Sequence, residues 1–208
     1  MFTPDGRTVE PRSEILPSGT ALSRLHPAAF GAADYNPGPT PAVAQTRFAF
    51  FGSPTVPVLD AAQNDDAAIA ETLLHDVPLS GGRLDEGLVR RRVLSEVVSS
   101  RDLHLLVLHG DGFRRLGTDP EDITRTSPRR YGETVPWAAA AHAAGFDGMA
   151  WMSRRHDSAR SYVFFGTGAA HGDFQVVPGS GRAFAFDHEV DWLSRRLGPL
   201  NVRIVAAM

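Results

Sequence analysis

Lysine is absent from the chain, and all 21 basic residues among its 208 are arginine. The Ala and Gly excess points to codon usage in a GC-rich genome as the origin of that bias. It still has a chemical consequence: Schiff-base and P-loop lysine chemistry is excluded, and any phosphate must be held by guanidinium or backbone N–H groups. Cysteine is absent too, which removes disulfides, thiolate nucleophiles and Cys-ligated metals. No apolar run approaches the roughly 18 residues of a membrane span. The first 19 residues are polar and lack an apolar signal-peptide core, so the expected location is cytoplasmic. Neither charge sign dominates: 24 acidic residues against 21 arginines leave a net charge of −3. That gives no general attraction to nucleic acid or to an anionic membrane.

Several motifs are missing as well. There is no GxGxxG after a strand, no GxxxxGK, no HExxH and no GxSxG; Ser180 lies in PGSGR, an ordinary Gly-rich loop. His26, His75, His104, His109, His142, His156, His171 and His188 show no ligand spacing, so no metal is expected.

What is present describes a folded protein. Hydrophobic residues make up 42% and charged residues 22%, the balance of a globular rather than a disordered chain. The length suits one domain over residues 20–208, preceded by a Pro- and Gly-punctuated, loosely held arm at 1–19. ALSRLH (21–26) reads as a short strand in which Arg24 would ordinarily face solvent. Residues 27–44 carry Pro27, Pro37, Pro39 and Pro41 and no regular period. They form a long loop of the kind that covers sites. TRFAFF and VPVLDA read as two strands joined by a tight Gly52–Pro54 connection. Asn64 caps a helix with Asp65 and Asp66 in its first turn; the helix extends to about Asp76, before Pro78. Val93–Val98 and DLHLLVLHG are extended, and Arg90, Arg91 and Arg92 read as a solvated basic face. Pro136 opens an Ala-rich helix closed by Gly145. GMAWMS and RSYVFFGT are strands, Arg182–Phe186 is a further short one, Glu189–Leu197 a helix and Asn201–Val205 a last strand. Strands outnumber long helices without alternating one-for-one with them, which argues for an α+β fold.

Four residues on these elements form a candidate constellation: Arg24, Arg47, Glu71 and Ser153. Their chemistry suits cleavage of an N-glycosidic bond, where a carboxylate stabilises positive charge on a ribose ring while arginines hold a pyrophosphate. No metal is needed. Glu71 lies at the edge of the helix's apolar stripe, where a surface glutamate is equally ordinary.

LSRLHP around Arg24, TRFAFFGSPTVPVLDAAQNDDAAIAETLLHDVP around Arg47 and Glu71, TRTSPRRYGETVPWAAAAHAAGFDGMAWMSRR to Ser153, and SYVFFG together resemble the RES-domain family, named for its Arg, Glu and Ser. The likeness spans roughly residues 20–166. It implies a compact fold similar to ADP-ribosyltransferase toxins, with two packed β-sheets and flanking helices around an NAD cleft. It also implies a toxin of a type II toxin–antitoxin pair, neutralised by an Xre-type antitoxin, oligomeric, and degrading NAD by hydrolysis or phosphorolysis. Some members transfer ADP-ribose to protein. On this resemblance Arg24 and Arg47 bind NAD, Glu71 is the catalytic carboxylate and Ser153 is a polar contact near the ligand. One position departs: the family pattern resembles VLYAA, and here it is VLDAA, with Asp60 in place of tyrosine. Asp60 is a natural divergence, a replacement general acid/base, or a change made to detoxify the protein for expression; an impaired pocket would leave a protein that binds NAD or a partner without turnover. An aspartate cannot stack on nicotinamide; Tyr35 on the preceding loop is a candidate substitute ring.

Overall fold

DLHLLVLHG becomes β6 (Leu103–Leu108), with five of its six residues buried. An almost unbroken apolar run needs cover on both faces, and β6 has it as an interior strand. The computed structural model that shows this describes residues 1–39, 46–166 and 172–206. β6 is bordered by β1 (Ser13–Leu16), inside the segment the sequence marks as a loose arm, and by β7 (Gly148–Met152). The sheet continues through β8 (Arg160–Phe165), β3 (Val58–Ala62), β2 (Ala21–Pro27), β5 (Arg92–Ser99) and β10 (Arg182–Ala183), and β9 (Phe174–Val176) also pairs with β5. Within this sheet only β6 and β7 run parallel among the described residues; its other ladders are antiparallel.

A second sheet of two parallel strands pairs β4 (Gly82–Asp85) with β11 (Val202–Val205). Leu84, Val202 and Ile204 of that pair join one apolar cluster with α1 (Asp65–Leu73), α6 (Asp187–Leu197) and Leu25, Ala62 and Leu94 of the large sheet. A second cluster packs α3 (Gly112–Leu116) and α5 (Tyr131–Ala143) against β6, β7 and β8; α2 (Glu86–Arg90) and α4 (Pro120–Ile123) are short. A third lies around Leu59, Leu105, Tyr162 and Phe164. The mixed, mainly antiparallel architecture with two sheets and flanking helices agrees with the α+β reading.

Four local expectations fail, each for a physical reason. TRFAFF is not a strand: Phe48 and Ala49 are driven into the core, and the Arg47 carbonyl accepts from the Thr134 hydroxyl of α5 instead of from a neighbouring strand. α1 ends at Leu73 rather than near Asp76. Its Leu74 N–H still reaches the Ala70 carbonyl, but the chain then turns, with the Val77 N–H on the Leu74 carbonyl, and beyond the helix the His75 carbonyl accepts from Arg155 Nη2 at 2.6 Å. Pro136 does not open α5 but sits in its sixth position, behind an extra turn begun by Tyr131. The Arg182–Phe186 segment contributes only two strand residues. Gly145 closes α5 as expected, at φ +85°.

Candidate active site

Asn64 begins the site by fixing α1. Its side chain accepts from the Ala67 N–H at 2.9 Å, and Asp65 and Asp66 complement the helix dipole in the first turn. α1 then carries Glu71 over the C-terminal side of β7. There the Ser153 hydroxyl donates to Glu71 Oε1 at 2.6 Å, and the Arg154 N–H donates to the same oxygen at 2.9 Å. The Ser153 oxygen also accepts from the His156 N–H at 3.0 Å, which orients the hydroxyl. Ser153 is wholly buried. A carboxylate gripped this way by one oxygen leaves Oε2 without a hydrogen bond among the described residues.

The cleft beside it arises from a failed ladder. β2 and β3 are joined only where Ser23 meets Ala62, whereas β2 pairs with β5 along its whole length. Beyond Ala62 the edge of β3 is taken by Asn36, which exchanges backbone hydrogen bonds with Val58 at 2.7 and 3.0 Å. The gap so opened is a cleft of about 310 Å³, at the lower end of the range for small-molecule sites. Arg24, Arg47, Asp60 and Glu71 all line it.

Arg24 does not face solvent. It is 6% exposed, and its guanidinium donates to the Ala32 carbonyl. Burial pulls it down to about 10, opposed by Asp60 and then Asp34, so it stays a cation at any physiological pH. Arg47 is also buried and donates to the Thr124 carbonyl; burial lowers it, with Tyr131 and Glu71 opposing. Its guanidinium lies 5.5 Å from the centre of the Tyr131 ring. Neither arginine has a carboxylate in salt-bridge contact among the described residues; Asp60 acts on Arg24 and Glu71 on Arg47 only from a distance.

Asp60 projects from β3 into the same cleft. Its carboxylate is wetted through the opening, yet protein surrounds it closely, and that environment pushes it up to about 6. Arg24 works against the shift and Glu71 adds to it.

The cleft has further residues that sequence reading did not single out. Tyr131 is one of several aromatic rings lining the cleft, while Tyr35, the expected substitute, does not line it: it is buried, bonds Asp173 at 3.2 Å and packs on Phe174. Arg92, read as part of a solvated face, is half-buried and lines the cleft; only Arg91 of that run is exposed. His26, Trp151, Ser161 and Tyr162 complete the walls. Strand parity places Ser161 opposite Ala62 and Trp151 opposite Ser161, but only a known register reveals it. Of the 27–44 loop, Pro27, Phe30, Asp34 and Asn36 line the cleft, and residues 40–44 lie outside the described residues. Among the described residues no group of three or more His, Asp or Glu is arranged to hold a metal, and no helix is long and apolar enough to cross a membrane.

The RES domain profile matches residues 21–187. A solved chain of similar fold comes from the crystal structure of the M. tuberculosis MbcT–MbcA toxin–antitoxin complex. The likeness has a TM-score of 0.55 at 14% identity and covers 81% of this chain and 85% of that one. No curated protein sequence matches this chain.

Proposed function

This chain belongs to the RES-domain family, and on that premise we propose that it cleaves the bond between nicotinamide and ribose in NAD. The observation that carries the reading is Glu71, a carboxylate held by Ser153 and the Arg154 N–H with one oxygen unused, at the edge of a cleft flanked by unpaired arginines. In the reaction the C1′–N bond breaks and its electron pair goes to the nicotinamide nitrogen, which becomes neutral. Positive charge grows on C1′ and its ring oxygen, and Glu71 stabilises it through space. Arg24 and Arg47 hold the pyrophosphate, which keeps the ribose against Glu71. An oxygen of water or of phosphate then bonds to C1′; when water attacks, Asp60 takes its proton, a role suited to a carboxylate near 6. NAD is a substrate here, and no metal is invoked.

The biological role we propose is that of a cytoplasmic toxin held in check by an antitoxin of Xre type, and acting as a homo-oligomer. Support comes from the family and from a fold shared with a chain of a toxin–antitoxin complex.

The test is to follow free nicotinamide by chromatography, with and without phosphate, beside Glu71→Ala. Release that vanishes in the variant supports the reading, and its phosphate dependence selects phosphorolysis or hydrolysis. A labelled-NAD assay on cell lysate reports transfer of ADP-ribose to protein instead. Asp60 supports a second reading, a protein that binds NAD without turning it over, because a carboxylate stands where a neutral ring would favour the ligand. That reading predicts no release from the unaltered chain and recovery in Asp60→Tyr. Absence of release from both would remove the cleavage proposal.

A further inference from the structure

Arg154 follows the serine that grips Glu71, and its main chain and side chain serve different parts of the site. Its N–H donates to Glu71 Oε1 at 2.9 Å. Its guanidinium turns instead to the segment after α4, where Nη1 donates to the Arg125 carbonyl at 2.7 Å and to the Thr126 carbonyl at 3.3 Å. The carbonyl just before these, of Thr124, accepts from the Arg47 guanidinium. Three successive carbonyls are thus shared between two arginines.

The 124–126 segment has little else of this kind to fix it. Its remaining hydrogen bonds among the described residues are local and reach no further than Pro120. Arg47, Glu71, Thr126 and Arg154 also line one small recess together, so the two arginines and the carboxylate are neighbours in space. Arg154 itself is exposed, and an exposed arginine would ordinarily be only a solvated charge.

We propose that Arg154 is a positioning residue that sets Arg47 relative to Glu71. Its N–H fixes the carboxylate, and its side chain fixes the turn whose Thr124 carbonyl orients the Arg47 guanidinium. A ligand with a pyrophosphate at a set distance from its ribose needs both groups at the right separation, and small displacements of such groups are costly. Assigning that ligand as NAD rests on the cleavage reading above; the tie between Arg154 and Arg47 does not. Substitution of Arg154 removes only the side-chain half of the tie, because the N–H on Glu71 belongs to the main chain.

The test titrates ADP-ribose into the full chain by calorimetry and follows NAD kinetics in parallel. Arg154→Ala should weaken ADP-ribose about tenfold, the scale of a hydrogen bond to a charged group. Arg154→Lys, which keeps a donor, should restore most of the loss. Arg129→Ala, an exposed arginine of the following turn, should bind normally. The loss should persist at about 1 M salt, where charges are screened beyond about 3 Å. In an Arg47→Gln background Arg154→Ala should add less than about twofold, since it acts through Arg47. The KM for NAD should rise about tenfold with kcat within about threefold, the mark of lost ligand binding with the grip on Glu71 retained. Arg154→Met keeps the aliphatic stem and stands in if Arg154→Ala fails to fold. Unchanged affinity in these variants, a loss that disappears in salt, losses that multiply with Arg47→Gln, or no ADP-ribose binding by the unaltered chain each overturn the proposal. The binding pattern without nicotinamide release upholds the positioning role and removes the cleavage reading. NAD cleavage indifferent to Arg154 does the reverse.

Discussion

Ser153 contributes one hydroxyl, yet it accounts for half of the hydrogen bonding to Glu71 Oε1. A hydrogen bond to a charged group is worth about 1.5–3 kcal/mol, so Ser153→Ala should lower kcat for nicotinamide release by about 10- to 100-fold. KM should move little, because the arginines proposed to hold the ligand are untouched; an unchanged kcat would mean that Glu71 needs no such grip. Asp60 gives a pH signature. Its folded value, raised from 3.8 to about 6, means that the folded state holds the proton more tightly than the unfolded one. Its stabilising contribution is present below about 4 and lost as pH rises through 6. Asp60→Asn, which is never charged, should therefore melt higher than the unaltered chain by a margin that grows from pH 5 to pH 7.5. His26, lowered chiefly by burial, loses stability in the opposite direction, as pH falls, but it is common to both proteins and cancels in the comparison. A margin that stays flat would show that Asp60 is not desolvated.

At the scale of elements, α1 matters because it carries Glu71, and its start rests on one side chain. Asn64→Ala removes the cap bond to Ala67 and should cost about 1 kcal/mol in denaturant unfolding. Pairing of β7 with β8 depends on a different economy of space. A Cβ at Gly148 would stand 2.3 Å from the Val163 carbonyl oxygen, so Gly148→Ala must push the two strands apart. The expected loss is several kcal/mol, well beyond the ~1 kcal/mol typical of a point change, and it should disturb Trp151 and Ser161 on the same ladder. Urea unfolding monitored alongside nicotinamide release would show both effects; a fully stable variant would contradict the packing described. The short α1 and the displaced start of α5 belong to this scale too. The end of α1 goes with the Val77–Leu74 turn and with Arg155 holding the His75 carbonyl just beyond it, and the start of α5 with Thr134 reaching the Arg47 backbone; Arg155 and Arg47 are remote in sequence from the elements they hold.

For the whole molecule, the cleft exists because two strands part while three apolar clusters hold their flanks. A ligand that binds only this arrangement must stabilise the fold by mass action. At about 100 times Kd the gain is about 2.7 kcal/mol. ADP-ribose added to Glu71→Gln protein should therefore raise the melting temperature progressively with concentration, and Arg24→Ala with Arg47→Ala should abolish the rise. A melting temperature indifferent to ligand would deny that the cleft is the site.

Much of this was legible in the sequence. Local chemistry settled the Asn64 cap, the Gly145 stop, the buried β6 run and the strand around Arg24, because each depends on neighbours a few residues away. The same holds for what the chain cannot do without lysine or cysteine. The candidate site was legible only through Arg24, Arg47, Glu71, Ser153 and the departure at Asp60. Tertiary structure alone decided that Arg24 is buried, that TRFAFF plugs the core instead of pairing, and that Tyr131 and Arg92 line the cleft. Those outcomes turn on strand register and on contacts between segments far apart in sequence, such as Ser153 with Glu71, 82 residues away, and no local pattern encodes which distant partner a side chain will meet.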